Sequence, residues 1–275
     1  MHDRLLKDEE IDACLQGVKL YGDDFSAEEI ALWFEGEKEG FSSLWAHDRS
    51  RYVYLYHALN HAHGFRYLPR KTFRHALSLG GAYGDELLPL LPSVSRTTIL
   101  ETSDVYATNE IQGVPVSYVK PRSSGEMPFP DHTFDLATCF GCLHHIPNVS
   151  KVVGELFRCL EPGGVAIIRE PIVSMGDWRH ARTGLTKMER GIPLGIFRKI
   201  LLEAKFTIQK ETLCVFPLTS RLTFLFGPYV WNSPMAVFLD RLMAQAFAWN
   251  SSYHPSSLIQ KLVPTAATYV LEKRR

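Results

Sequence analysis

From residue 74 onward, short apolar runs alternate with glycine, proline and helix-like segments. Seven of these runs are predicted to be strands, at residues 75–79, 97–101, 116–119, 134–140, 165–169, 206–216 and 267–272. Strands that alternate with helices along a chain are typical of βαβ units. The pattern therefore predicts an α/β fold with a doubly wound, Rossmann-like sheet of seven strands.

Two helices are predicted between the later strands. In residues 149–160 the apolar side chains recur at helical spacing, with Asn148 as the N-cap and a Pro-Gly-Gly sequence at the end. Residues 194–205 carry a similar apolar face. Both helices lead into strands, as the alternating pattern requires.

Two further segments flank or interrupt this pattern. Residues 1–70 are predicted to be a helical N-terminal cap, in which Ser26 and Glu29 form a capping box. Residues 71–275 then form the α/β domain, with an insert at about 217–264 that is rich in aromatic residues. This insert is interpreted either as a substrate lid or as the face of a homodimer.

The charge balance excludes several classes of partner. Thirty basic residues match thirty acidic ones, so no overall field attracts nucleic acid or an anionic membrane, and a small molecule is the expected partner. The N-terminus lacks a signal-peptide pattern and no stretch approaches 18 apolar residues. A cytoplasmic location is therefore expected.

Cysteine and histidine spacing suggests no metal site. The five cysteines are odd in number and lie in apolar contexts, which favours reduced core thiols, including the pair Cys139 and Cys142. His57, His61 and His63 have helical spacing that a metal tolerates, but no acid or cysteine stands near them in sequence. They are interpreted as part of a cap helix that faces the substrate, and no metal is predicted.

Two segments carry a resemblance to a known family. FPDHTFDLATCFGCLHHIPN (129–148) and LEPGGVAIIREP (160–171) closely resemble the fourth-strand to fifth-strand region of class I methyltransferases that use S-adenosyl-L-methionine (SAM). The resemblance covers about 74–216 and 267–272. It implies a mostly parallel sheet whose last strand runs antiparallel between the fifth and sixth, with the ligand over the carboxyl ends of the first strands.

The resemblance also implies a cofactor site. Its glycine loop contains Gly80, Gly81, Ala82 and Gly84, and Glu101 stands where the family uses an acid to bind the ribose hydroxyls. Three further positions, Thr102, Met127 and Phe140, are assigned to the same site. Two departures predict weaker SAM binding, because Ser78 and the Ser123 or Ser124 position replace acids that the family commonly has there.

The acceptor side is predicted from the rim of the sheet. His144 and His145 follow the fourth predicted strand, where one of them suits the role of a base that deprotonates an acceptor hydroxyl. The predicted substrate-binding residues, some of them able to bind an anionic group, are Tyr56, His57, Arg179, His180, Arg182 and Arg190.

Together these features predict a SAM-dependent methyltransferase that acts on a hydroxyl oxygen of a small metabolite. Two alternatives stay open at this point. The same scaffold can host a lyase, cyclase or isomerase, since fold does not fix chemistry. The other alternative is a binding subunit without catalytic activity, which contacts a partner through the aromatic insert.

Overall fold

The computed structural model describes residues 8–37, 49–69, 72–180, 182–227 and 229–274. One central sheet contains the strands β1 (Ala76–Leu79), β2 (Thr97–Leu100), β3 (Glu110–Ile111), β4 (Val114–Val119), β5 (Phe134–Phe140), β6 (Leu160–Pro171), β7 (Thr207–Cys214) and β8 (Ala266–Glu272). The α-helices of these ranges are α1 (Asp8–Leu15), α2 (Ala27–Glu37), α3 (His57–His63), α4 (Val149–Cys159), α5 (Leu194–Glu203), α6 (Thr223–Phe226) and α7 (Pro234–Ala246).

The sheet has the order β3-β4-β2-β1-β5-β6-β8-β7. Strands β4, β2, β1, β5 and β6 run parallel, while β8 pairs antiparallel with both β6 and β7. All seven predicted strands are present, and the last one lies antiparallel between its neighbours as the resemblance implied. The predicted α/β, mostly parallel fold is confirmed.

The eighth strand, β3, was not predicted. It contains only two residues and pairs antiparallel with β4 across Gln112 and Gly113, whose φ angles are 49° and 82°. A two-residue connection with both φ angles positive is a tight hairpin turn. Gln-Gly is a weaker hairpin signal than Asn-Gly or Asp-Gly, and a two-residue strand shows no apolar periodicity, so the sequence pattern did not reveal it.

Helix α4 forms where the periodicity places it, but its cap differs from the prediction. Asn148 makes no side-chain capping bond, because its Nδ2 donates to the carbonyl oxygen of Ser124 at 2.8 Å. Asp23 instead accepts the Ser150 N–H at 2.8 Å. Asn148 therefore holds the predicted N-cap position, with its carbonyl accepting the Val152 N–H, but the side-chain acceptor at this helix terminus is a carboxylate 127 positions from Ser150.

The N-terminal segment packs closely on the α/β domain. The Ser26 and Glu29 capping box is confirmed, with the two reciprocal bonds at 2.8 and 3.3 Å. Trp33 of α2 is buried beside Trp178 of the loop after β6, and the ring of Tyr21 stacks on Trp178 at a centroid distance of 5.3 Å. Helix α2 is therefore held beside the carboxyl end of β6.

The five cysteines are free, as the sequence predicted, and four of them are buried. Cys139 lies in β5 with its Sγ 3.6 Å from Glu170 Oε1. The hydrogen bond with Cys142 and, next, burial raise the pKa of the Cys139 thiol well above its usual value. Across the described ranges, no helix is both long enough and apolar enough to span a membrane.

Candidate active site

The glycine loop lies between β1 and β2 and contacts the end of β5. Gly80 and Gly84 have φ angles of 61° and 75°, which L side chains rarely adopt. A Cβ on Gly80 would lie 2.6 Å from Cys142 Sγ. The Gly80 backbone is exposed, so this loop presents main-chain atoms at the carboxyl edge of the sheet.

Glu101 follows β2 and is held by the loop. Its Oε1 accepts the N–H groups of Thr102 and Ser103 at 2.8 and 3.2 Å, whereas its Oε2 accepts, among the residues that the structure describes, only the N–H of Ala82, at 3.1 Å. A carboxylate oxygen has two lone pairs. Oε2 of Glu101 therefore keeps one acceptor position that a ligand hydroxyl can use.

Glu86 brings a carboxyl group to the position where Ser78 replaces the usual acid. Ser78 Oγ donates to Glu86 Oε1, and a Cβ on Gly81 would lie 2.5 Å from that same oxygen. Burial raises the pKa of Glu86 to about 7, against the opposing effect of the Ser78 hydrogen bond. The sequence reading missed Glu86 because it follows the last loop glycine, in a stretch read as the end of a turn.

The other predicted cofactor residues are spread over this edge and the core. Phe140 ends β5, and its ring lies 5.8 Å from that of Phe65. Met127 is buried in the main core, and its N–H donates to Glu155. Ser123 and Ser124 are exposed. Cofactor contact by Met127 and Phe140 stays a prediction.

His144 and His145 follow β5 and are paired with different acids. The Nδ1 of His144 lies 2.7 Å from Glu170 Oε2, and its Nε2 lies 3.4 Å from Glu189 Oε1. The Nδ1 of His145 lies 3.1 Å from Glu37 Oε2. The two imidazole rings have centroids 4.1 Å apart. None of these three acids was predicted to contact a histidine, because each is distant from the histidines along the chain.

The surroundings of the two histidines shift their pKa values in opposite directions. Burial by itself disfavours the imidazolium of His144, but the hydrogen bonds to Glu170 and Glu189 outweigh it and raise its pKa to about 9. Burial, and then the charge of His144, lower the pKa of His145 below its ordinary value of 6.5. At neutral pH the pair therefore consists of a charged His144 and a neutral His145.

The contacts of His144, His145 and Glu189 are explained without a bound metal ion. The ligand atoms of His144, His145 and Glu189 lie within 4.8 Å of one another, a spacing that a metal ion tolerates. However, His144 is hydrogen-bonded to two carboxylates, and Thr186 contacts Glu37, Glu189 and His145 through its hydroxyl. We assign no metal to these residues.

The basic residues of the loop after β6 differ in what they contact. Arg190 is completely buried, and its five N–H groups face five backbone carbonyl oxygens, those of Tyr21, Leu143, His144, Ile146 and Pro147. Arg182 donates to four carbonyl oxygens of its own loop. Arg179 is exposed and pairs with Asp177, and His180 is exposed. Substrate binding by these four side chains stays a prediction.

Tyr56 lies at the sheet edge against a cation that the sequence did not single out. The guanidinium of Arg169, at the end of β6, lies 4.4 Å from the Tyr56 ring centroid, and its Nε donates to Asn60 Oδ1 at 3.0 Å. Among the residues that the structure describes, no carboxylate pairs with Arg169. His57 contacts the Tyr54 ring at 4.9 Å and donates its backbone N–H to Asn232. Helix α3 thus brings Tyr56 and Asn60 to Arg169.

Comparison with known families identifies the central part of the chain. Residues 77–168, from β1 into β6, match the model of a family described as "Methyltransferase domain". The match covers 92 of the 275 residues and identifies this segment as a methyltransferase domain. Members of the family use SAM.

Sequence relatives match limited stretches of the chain. A ubiquinone/menaquinone biosynthesis C-methyltransferase of Vibrio campbellii is 32% identical over 87 residues, which cover 32% of this chain and 33% of the relative. A sterol 4-C-methyltransferase of Caenorhabditis elegans is 47% identical over 47 residues, 17% of this chain and 14% of the relative. The chain therefore matches about a third or less of the length of these curated relatives.

Solved structures share the fold of the methyltransferase domain. A SAM-dependent methyltransferase from Mesorhizobium loti has a TM-score of 0.50 at 16% identity, covering 76% of this chain and 94% of that one. Phosphoethanolamine N-methyltransferase 2 of Haemonchus contortus, solved with phosphomonomethylethanolamine and S-adenosylhomocysteine, has a TM-score of 0.52 at 16% identity, covering 79% and 52%. At these identities the likeness concerns the fold.

Only part of the candidate site lies within the range that matches the family. The glycine loop, Glu101 and the two histidines fall inside the matched range 77–168. Glu37, Glu170 and Glu189, which fix the histidines, fall outside it. The acids that contact the two histidines therefore come from segments outside the matched range.

Proposed function

We propose that this chain is a SAM-dependent methyltransferase that transfers a methyl group to a hydroxyl oxygen of a small molecule. One observation carries the proposal: the glycine loop with Glu101 and a neutral His145 both belong to the carboxyl edge of the same parallel strands. This is the edge where open α/β sheets bind ligands. The edge thus offers a cofactor site and a base together.

The cofactor residues fit SAM. Glu101 Oε2 accepts a ribose hydroxyl, and the exposed backbone at Gly80 permits close approach of the ligand. Glu86 faces the ammonium group in place of the acid that Ser78 lacks. Four further residues complete this site in the proposal: Gly81, Thr102, Met127 and Phe140. When bound, SAM would supply the methyl group that its sulfonium sulfur carries.

His145 acts as the base on the acceptor side. It is neutral at pH 7 and therefore able to take a hydroxyl proton, while the charged His144 stays fixed by Glu170 and Glu189. Arg169, which has no carboxylate partner among the described residues, and Tyr56 lie at the same edge and suit an anionic group on the acceptor. His57 and the four predicted loop residues Arg179, His180, Arg182 and Arg190 surround this region in the proposal.

A carbon acceptor is the second candidate. The relatives from Vibrio and Caenorhabditis are both named C-methyltransferases. Deprotonating a phenol or enol also activates the adjacent carbon, so the same base serves either acceptor. The NMR spectrum of the product distinguishes an O-methyl from a C-methyl group.

The proposal is tested by ligand binding and by product mass. Calorimetry is expected to show one S-adenosylhomocysteine bound per chain, with a rise in melting temperature. Incubation with SAM and an extract of the source cells is expected to yield a product heavier by one methylene unit. No binding at millimolar ligand, or turnover with unchanged mass, would contradict it. The second result would favour a cyclase or isomerase.

Glu86→Gln is expected to weaken SAM binding by about 10- to 100-fold, because a neutral amide replaces a charge opposite an ammonium. A carboxyl group with a pKa of about 7 ionises as the pH rises. Wild-type affinity should therefore increase between about pH 6 and 7.5, and the variant should lack this increase. The exposed Glu203→Gln serves as the control. Equal affinities for both variants would remove Glu86 from the site.

A further inference from the structure

The insert at 217–264 exposes an unusual amount of apolar surface. Fourteen large hydrophobic residues are exposed among those the structure describes, and ten of them lie in this insert. The ten are Leu218, Phe224, Leu225, Tyr229, Met235, Phe238, Leu242, Trp249, Leu258 and Ile259. Phe224, Trp249 and Leu258 are 79%, 76% and 84% exposed. Single exposed apolar residues are normal, but such a concentration indicates an interaction surface.

Helix α7 shows that this surface is a second apolar face. Its buried side includes Ala236 and Val237, which pack in a cluster with Leu59 of α3. The exposed side carries Met235, Phe238 and Leu242, at positions i, i+3 and i+7. One side of α7 therefore packs on the core, and its other apolar side contacts no partner within the described residues.

The insert is firmly attached to the domain. Asp240 in α7 accepts the backbone N–H groups of Val215 and Phe216 at 2.9 and 2.6 Å. Asn250 Nδ2 donates to the carbonyl oxygens of Ile259 and Leu262 at 2.7 and 3.0 Å, which keeps Trp249 beside the turn that carries Ile259. The exposed side chains thus project from a fixed layer.

The charged side chains that the insert exposes are all basic. Its charged residues are Arg221, Asp240, Arg241 and Lys261. Asp240 is 0% exposed, whereas Arg221 and Lys261 are exposed and Arg241 is partly exposed. The balance of thirty basic and thirty acidic residues over the whole chain conceals this local excess of positive charge.

We propose that this face of the insert docks on the surface of an anionic lipid bilayer. Exposed aromatic and aliphatic side chains combined with cations are the pattern of interfacial membrane binding, in which apolar groups enter the headgroup region and cations attract anionic lipids. A second copy related by a two-fold axis would place like charges against each other. The face therefore suits lipid better than self-association, in contrast to the expectation from overall charge and to the predicted homodimer.

Vesicle flotation tests the docking face directly. The full chain is expected to bind vesicles of phosphatidylcholine with about 30% phosphatidylglycerol at least ~10-fold more tightly than pure phosphatidylcholine, and less tightly at high salt. The double variant F238S/W249S is expected to lose ~10-fold or more of this binding. R241Q/K261Q should lose the preference for anionic vesicles while retaining weak binding to both.

The controls separate docking from misfolding and from self-association. Leu202→Ser, at an exposed apolar residue outside the insert, is expected to bind vesicles like the wild type. The melting temperature and S-adenosylhomocysteine binding of F238S/W249S should match the wild type. Absence of vesicle binding, or equal loss in L202S, overturns the proposal. The proposal is also overturned if the wild type does not bind vesicles but forms a dimer in sedimentation velocity, and F238S/W249S abolishes that dimer. None of these results depends on catalysis.

Discussion

Replacing His145 by Asn is expected to lower methyl transfer by about 10²- to 10⁴-fold, the usual contribution of a positioned base, while SAM binding stays unchanged. His145 is the neutral member of the histidine pair, so its loss leaves no proton acceptor, because His144 is already protonated at neutral pH. The measurement is transfer of labelled methyl from SAM to small molecules of a source-cell extract. Calorimetry with S-adenosylhomocysteine reports cofactor binding separately.

His61→Asn is the matched control for His145→Asn, because His61 is exposed on α3. Treatment with a chelator is expected to leave wild-type transfer unchanged, since no metal is assigned to the site. If H145N retained more than about a tenth of the wild-type rate, His145 would not be the base. The acceptor would then be a group that needs no deprotonation.

The pH profile gives an independent reading of the same pair. A base must be unprotonated, and the pKa of His145 is lowered from 6.5, so at saturating SAM, where the Glu86 titration has no effect on the rate, transfer is expected to fall only when the pH drops below about 6.5. This acidic limb should be absent from the residual activity of H145N. A wild-type limb that lies above pH 7, or that persists in the variant, would assign the titration to another group.

Arg190→Met is expected to destabilise the protein by about 3 kcal/mol or more. The substitution removes five hydrogen bonds to backbone carbonyl oxygens, four of them buried, and an apolar side chain of similar length cannot replace them. Urea denaturation measures the free energy of unfolding. Arg198→Met, at an exposed ion pair with Glu211, serves as the control and should cost less than about 1 kcal/mol.

The Arg190→Met result also decides between two roles for this side chain. Arg190 was predicted from sequence to bind an anionic substrate, and in the structure it donates to the Tyr21 carbonyl on one side and to the carbonyls of His144 and its neighbours on the other. A stability loss of less than about 1 kcal/mol, combined with a raised KM, would favour the substrate role. A large stability loss supports the structural role.

The predictions from sequence succeeded where a property is local. The segment from β5 through α4 to β6 was predicted because apolar periodicity and the Pro-Gly-Gly end signal act over a few residues. The capping box at Ser26 succeeded for the same reason. Such signals depend on neighbours along the chain, and folding preserves them.

The site was harder to predict because its partners are distant along the chain. Glu37 reaches His145 across 108 positions and Glu170 reaches His144 across 26, and neither spacing follows from any local pattern. Arg169 was not singled out, since sequence does not show that this cation is buried without a carboxylate partner among the described residues. Glu86 replaced an acid expected eight positions earlier, a substitution visible only in three dimensions.

The position of β8 bears on how the chain is made. Strand β6 pairs with β8 along seven residues, yet β8 begins only at Ala266, long after β6 ends at Pro171. During translation, several seconds therefore pass between the synthesis of β6 and the synthesis of β8. During this interval the edge of β6 carries unpaired backbone groups beside apolar side chains, the kind of edge that attracts other chains. Synthesis at low temperature or with a chaperone should accordingly raise the yield of native protein.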